Sequence, residues 1–238
     1  MIDIHTHILP GIDDGSRNSE MSVEMLKALK EEGVTDVVLS PHFYAHENSV
    51  EKFLARRQVS IEHLERALEG QSLGIRLHPG AEVLYMDSLD KVDGLGEMTI
   101  GGSKYLLLEM PFNKWSTRNL DTVYKIQCNG FTPIIAHFER YIGFNGGLKE
   151  MYELKKMGCI LQMNAESFKG FFAKRKSIKF FDEHLASLLG SDCHNLNHRP
   201  PQIKFAYDAI QEKLGAPGID RILHRANRVL ENSKYIQA

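Results

Sequence analysis

The chain has 238 residues, 42% hydrophobic and 25% charged, with 29 basic and 31 acidic side chains for a formal net charge of −2. That length and composition support a substantial core and suit a single (β/α) barrel domain over residues 1–238, while the near-neutral charge offers no broad basic field for nucleic acid or an anionic membrane. No run of about 18 apolar residues argues for membrane insertion, the N-terminus lacks the pattern of a signal peptide, and three widely spaced cysteines fit a reducing cytoplasm better than a disulfide framework.

Short apolar runs open the chain and recur along it: residues 2–5, 34–40, 75–83, 104–110, 131–137, 159–164 and 186–192. Most are rich in Ile, Leu and Val without polar alternation, as strands buried on both faces are. Helical patterns lie between them. Residues 22–33 place Val23, Leu26 and Leu29 on one stripe and stop at Gly33; 50–69, 116–129, 147–157 and 177–189 follow, and two more patterns, FAYDAIQEKLG and RILHRANRVLENS, occupy the C-terminal region. Strand and helix alternating about seven times predict parallel strands joined by crossovers, and a TIM-like barrel rather than an open sheet because of where the polar residues fall.

DIHTHILPGIDDGS near the N-terminus places His5 and His7 two apart on the first predicted strand, so both imidazoles point one way. His42 follows the second run, Glu82 ends the third, and Glu109, His137, Asn164 and Asp192 recur at intervals of 27, 28, 27 and 28 residues from Glu82, with His194 just beyond. Barrels assemble active sites from the C-terminal ends of several strands, and this recurrence matches one strand–helix unit. Imidazole and carboxylate donors without thiolate suit Mn, Fe or Zn. With an aspartate from the Asp13-Asp14 pair they make nine donors, enough for two or three ions sharing a bridging carboxylate. Clustered ions suit phosphate-ester hydrolysis, activating a bridging water as hydroxide and neutralising charge on the attacking and leaving oxygens. Arg140, three residues after His137, and Arg199, five after His194, supply guanidinium forks matched to phosphate oxygens.

DIHTHILPGIDDGS, SPHF, PGAE, LLLEMPF, AHFERY, LQMNAESFKG and SDCHNLNHRPP resemble, in order, the motifs of the PHP (polymerase and histidinol phosphatase) superfamily. The nearest look is to manganese-dependent bacterial protein-tyrosine phosphatases encoded with capsule and exopolysaccharide genes. The resemblance covers roughly residues 1–200 and implies a distorted (β/α)7 barrel with a trinuclear centre, in which Mn2+ is the expected metal and Fe or Zn the alternatives. His5, His7, Glu82 and Asp192 would hold one ion, Glu82, Glu109 and His137 a second, and Asp14, His42 and His194 a third. Asp14 is preferred to Asp13 because the family's aspartate stands seven after the second histidine, just before glycine. Arg140 and Arg199 match phosphate-binding arginines. The implied substrate is a phosphotyrosine protein, the tail of a bacterial tyrosine autokinase, attacked by a metal-bridging hydroxide. The alternatives are a small-molecule PHP phosphatase of the histidinol-phosphate type and a non-catalytic metal-binding regulatory module. Phe138 departs from the family's usual proline, and Cys193 from the usual small residue.

Other candidates have blander readings. His46, His63, His78, His184, His198 and His224 lack the strand-end phase and read as surface or packing residues, with His46 and His198 placed nearest the ligands. Trp115 reads as a core or lid aromatic rather than a substrate platform. Cys193 and Arg199 share the Cys-x5-Arg outline of thiol-dependent phosphatases, but no glycine lies between them and prolines follow, so a phosphate-wrapping loop is not expected.

Overall fold

The computed structural model describes residues 1–238. Its strands are β1 (Ile2–Thr6), β2 (Asp36–Leu39), β3 (His42–Phe43), β4 (Arg76–Pro79), β5 (Glu82–Leu84), β6 (Tyr105–Glu109), β7 (Thr132–Ile135), β8 (Ile160–Asn164), β9 (Leu188–Gly190) and β10 (Ile236–Gln237). The helices are α1 (Ser19–Glu31), α2 (Val50–Leu68), α3 (Thr117–Cys128), α4 (Lys149–Lys156), α5 (Phe171–Asp182) and α6 (Lys204–Leu230). Two sheets run in the orders β1-β2-β4-β10 and β3-β5-β6-β7-β8-β9. All pairings are parallel except that of β10 with β4.

The two sheets form one distorted ring. The runs 34–43 and 75–84 each break into two short strands, at Ser40-Pro41 and Gly80-Ala81, where Pro41 has no amide to give a ladder. Gly80 N donates to Leu39 O at 2.8 Å and Glu82 N to Pro41 O at 3.0 Å, which carries the β2–β4 pairing into β3–β5. The other seam joins the last strand to the first: Asp192 N donates to His5 O at 2.8 Å and His7 N to Cys193 O at 2.9 Å. Gly190 permits that approach, since a Cβ there would stand 2.6 Å from His5 Cβ. Seven strand positions result, as the distorted (β/α)7 expectation requires.

Three predicted ranges need correction. Residues 75–83 are two strands, not one. The helix expected over 177–189 lies earlier, at Phe171–Asp182, because His184 adopts a left-handed φ of 58° and turns the chain into β9. That strand is correspondingly shorter than the expected 186–192, and Asp192 is itself left-handed, with φ 55°.

A core of 52 buried residues packs the strands against the surrounding helices. A second cluster fills the barrel floor, where Ile2, Ile4, Val38, Leu107, Ile134, Ile160 and Leu188 meet Ala226 and Val229 of α6. The two C-terminal helical patterns form the two halves of α6, kinked at Gly215 (φ 65°) with Pro217 just beyond. The second half closes the bottom, leaving the opposite mouth open for chemistry.

Candidate metal centre

A β-bulge in β1 aims the first two donors. Asp3 aligns with Val37 but Thr6 with Leu39, so one extra residue of β1 is inserted between them. Strict alternation would forbid both Ile4 and His5 from facing the interior; the bulge resets the phase. Ile2 and Ile4 therefore join the floor cluster, while His5 and His7 reach the centre above it.

Hydrogen bonds at Nδ1 orient four imidazoles. His5 Nδ1 lies 3.1 Å from Gln162 Oε1, His7 Nδ1 2.8 Å from Asp13 Oδ2, His137 Nδ1 3.1 Å from Tyr141 Oη and His194 Nδ1 3.0 Å from Asp192 O. Each turns its Nε2 toward the centre, the arrangement in which an outer partner fixes a ligating histidine. Gln162 Nε2 also donates to Asn164 Oδ1 at 2.9 Å, and Asn164 Nδ2 to Asp192 Oδ2 at 2.6 Å. Gly15 is required beside this array, because a Cβ there would come within 2.2 Å of His7 O and 2.9 Å of Asp13 Oδ1.

The nine expected donors form one continuous patch. His5 and His7 Nε2 lie 3.1 and 3.2 Å from Glu82 Oε2 and 3.6 and 3.5 Å from Asp192 Oδ1. His137 Nε2 is 3.0 Å from Glu82 Oε1 and 3.5 Å from Glu109 Oε1. Asp14 Oδ1 lies 3.5 Å from His42 Nε2 and 3.4 Å from His194 Nε2. Glu82 occupies the middle, within 3.0–3.2 Å of His5, His7, His42 and His137. Asp14 is 68% exposed at the mouth, whereas Asp13 is buried against His7. The two aspartates thus divide the work: Asp14 faces the donors and Asp13 holds the ring behind one of them.

The patch calls for positive charge. Burial opposes ionisation of Glu82, yet the charge of His5 and hydrogen bonds from His137, His5 and His7 hold its carboxyl well below the usual range. Asp192 is likewise held low against burial by His5 and His7. Burial also opposes charge on His7, but Asp13, Asp192 and Glu82 outweigh it and keep its pKa well above the ordinary imidazole value. At His137 the bonds to Glu109 and Glu82 overcome burial and bring the pKa to about 9. His194 goes the other way, to about 4, through burial and the neighbouring charges of His7 and Arg199.

The donor set fits a group of cations. His5 Nε2 faces His7 Nε2 at 3.1 Å, an approach of two like nitrogens that a proton or a metal must mediate. His42 Nδ1 is buried 3.1 Å from Glu82 Oε2 but misaligned, and has no hydrogen-bond partner. Nitrogen and oxygen donors without sulfur match Mn, Fe or Zn.

Both expected arginines reach the same carboxylate. Arg140 Nη2 is 3.0 Å and Arg199 Nη2 2.5 Å from Asp192 Oδ2, and Arg199 Nη1 donates to His194 Nε2 at 2.8 Å. Their side chains are 35% and 32% exposed, so the forks border the open mouth and remain reachable by a ligand. His198 lines the cleft they share. His46, expected close to the ligands, instead projects outward beside Glu47. His78 is a packing residue bonded to Asp36 and Ser233. Trp115 is buried against Tyr141 with its indole N–H on Pro111 O, a core aromatic. Cys193 is fully buried, and burial, then Asp3, pushes its thiol pKa upward, the reverse of an activated thiolate.

Sequence reasoning left Asp13 to the turn and did not identify Gln162 or Tyr141. Gln162, two residues before Asn164 on the same strand face, carried a legible signal: an amide amid an apolar run. Tyr141 carried none, because its role depends on a one-turn return toward His137.

Comparison with known proteins identifies the family and the fold. The capsular polysaccharide synthesis family CpsB/CapC matches residues 1–231. The tyrosine-protein phosphatase CpsB of Streptococcus pneumoniae is 33% identical, covering 91% of this chain and 92% of its own. The tyrosine-protein phosphatase YwqE of Bacillus subtilis is 28% identical, covering 98% and 92%. A solved structure from the work on these two metal-dependent tyrosine phosphatases superposes with a TM-score of 0.86 at 26% identity, covering 100% of this chain and 97% of that one. A TatD-like protein from Archaeoglobus fulgidus, at 11% identity and a TM-score of 0.50 over 96% of this chain, shares the fold alone. The chain belongs to the CpsB/CapC family.

Proposed function

We propose that this CpsB/CapC family member is a metal-dependent protein-tyrosine phosphatase, with its whole length forming one PHP-type barrel domain. The observation that carries this reading is the convergence of nitrogen and oxygen donors on one patch, eight of them in three overlapping groups that could each hold an ion and the ninth, His137, against Glu82 and Glu109, beside two guanidiniums that meet at Asp192. His5, His7, Glu82 and Asp192 would hold one cation, Glu82, Glu109 and His137 a second, and Asp14, His42 and His194 a third. Manganese is the metal proposed, with iron or zinc as alternatives. Such ions, when bound, supply an activated water and neutralise charge on the phosphoryl oxygens.

This chain's own residues do the rest. Asp13, Gln162 and Tyr141 fix the imidazoles. Arg140 and Arg199 turn from Asp192 to the phosphate, where their planar forks can each grip two oxygens and orient the ester for in-line displacement. The leaving phenolate has an intrinsic pKa of about 10, so little proton assistance is needed and no side chain is assigned as general acid. Cys193 takes no part. The proposed substrate is phosphotyrosine on the tail of a capsule or exopolysaccharide tyrosine autokinase, met in the cytoplasm; no helix of this chain is long and apolar enough to cross a membrane.

The deciding experiment assays a phosphotyrosine peptide with protein stripped of metal and resupplied with Mn, Fe, Zn or Mg. Activity abolished by chelation and restored most strongly by Mn is expected. Turnover that survives complete metal removal would overturn the mechanism, and rapid turnover of histidinol phosphate with none of phosphotyrosine would overturn the substrate.

A further inference from the structure

Two phenylalanines stand at the mouth beside the His137 side of the centre. Phe112 follows Glu109 by three residues in the loop leaving β6, and Phe144 lies in the loop leaving β7. The ring of Phe112 lies nearly parallel to that of His137, with centroids 5.9 Å apart and planes inclined by 19°. It packs on Tyr141 at 5.2 Å, and Phe144 meets it edge-on at 6.1 Å and 68°. Behind them Trp115 packs on Tyr141, also at 5.2 Å. The four rings run from the core to solvent: Trp115 and Tyr141 are buried, while Phe112 and Phe144 are 44% and 48% exposed.

A single exposed phenylalanine needs no explanation. Here two touch each other, and one is stacked on a candidate metal-ligating histidine and anchored from behind by a buried tyrosine. Tyr141 also bonds His137 Nδ1 and lies next to Arg140, so one short turn, Phe138–Tyr141, bears both a phosphate-binding fork and the support of the exposed rings. The faces and edges left open offer no hydrogen-bond donor or acceptor. They suit another aromatic ring in an offset or edge-on arrangement, and they gain less from a polyol or a short alkyl chain, which buries less apolar area against them.

We propose that Phe112 and Phe144 form an aryl-binding shelf that selects phosphate esters of phenols over those of alkyl alcohols. This rests on the phosphatase reading for its substrate but not for its test. The shelf holds the tyrosine ring while Arg140 and Arg199 hold the phosphate, so specificity is written in loops after β6 and β7 and the metal ligands need not discriminate. The two rings are specificity residues and make no contribution to bond cleavage beyond placing the ester.

The test compares aryl and alkyl ligands that cannot be hydrolysed, so that leaving-group chemistry does not enter. Benzylphosphonate and ethylphosphonate are titrated calorimetrically into Mn-loaded wild type, Phe144→Ala and Phe112→Leu. Phe144→Ala removes an exposed ring, and Phe112→Leu keeps apolar cover over Tyr141, so both leave the core intact. Wild type is expected to bind benzylphosphonate more tightly, and each variant to weaken it by roughly tenfold, the size of one aromatic contact with its buried area. Ethylphosphonate should move less than twofold. With a phosphotyrosine peptide, the same variants should raise KM with kcat little changed. Equal weakening of both phosphonates, or no change in either, overturns the shelf. Loss of phosphotyrosine turnover in wild type with the aryl preference intact would overturn the phosphatase reading and leave the shelf standing.

Discussion

Asp13 Oδ2 lies 2.8 Å from His7 Nδ1 and at the same time accepts the backbone amide of His42 at 3.1 Å. One buried carboxylate therefore fixes the orientation of one candidate ligand and the backbone position of another. Its second oxygen takes the amide of Gly15 at 2.9 Å, which ties the turn to both. The carboxylate is held below its usual pKa: burial opposes its charge, but the bond to and charge of His7 prevail, with the Gly15 and His42 amides adding.

Asp13→Asn keeps the shape of the turn but removes the charge behind His7. Metal affinity is expected to fall by about 10–100-fold, the usual effect of losing an outer carboxylate partner, with activity recovering at high Mn. Competition against a chromogenic chelator measures it. Unchanged affinity would show that Asp13 serves the turn alone.

Removing either guanidinium separates phosphate binding from metal binding. Arg140→Ala and Arg199→Ala should each lower kcat/KM by roughly 10²–10³-fold, as expected for a charged group aimed at a phosphoryl transition state. Metal content, read by elemental analysis, should stay at the wild-type level. Arg199→Lys should restore only part of the loss, because an ammonium cannot reproduce a planar fork. A variant that loses metal in parallel with activity would reassign that arginine to holding Asp192.

Cys193→Ser should leave kcat/KM at the wild-type level, since the thiol is buried and its pKa is raised. A hydroxyl in that buried site, beside Ser191 and Asp3, has a polar partner within reach, so the cost to stability is expected to be about 1 kcal/mol. Abolished turnover in a folded, metal-loaded Cys193→Ser protein would revive the thiol mechanism.

Asp36 offers a pH test away from the centre. It receives Nε and Nη2 of Arg76 at 2.7 and 2.8 Å and lies 3.0 Å from His78 Nε2. Burial opposes its charge, but the bonds from His78, Arg76 and Thr35 hold its pKa below the usual carboxylate range. A carboxylate with a depressed folded pKa stabilises the fold above its unfolded value, near 4, and that contribution disappears as pH falls through the folded value. Because Arg76 is half exposed, the loss in Asp36→Asn at pH 7 is expected to be about 1–2 kcal/mol. Urea unfolding should show the gap to wild type narrowing below pH about 4. A gap independent of pH would mean that packing, not charge, is what the substitution removes.

Much of the centre was legible because its donors sit at a fixed phase of a local repeat. Glu82, Glu109, His137, Asn164 and Asp192 follow apolar runs at nearly equal intervals, and parallel strands in register deliver such residues to one end of a barrel. The helix over Phe171–Asp182 was misplaced because its apolar residues include Phe171 and Phe172, both exposed, which blurs the stripe used to find a helix.

The amino-acid order alone determined the strand–helix rhythm, nine candidate donors, two candidate arginines and the exclusion of a wrapped thiolate loop, since each is carried by a short local motif or by its recurrence once per strand–helix unit. Only the folded chain decided how β9 meets β1 through Gly190, how a bulge lets Ile4 and His5 both turn inward, and which of Asp13 and Asp14 stands behind a histidine. Those outcomes depend on contacts between segments far apart in the chain, where excluded volume and hydrogen-bond geometry select among arrangements that local periodicity leaves equally acceptable.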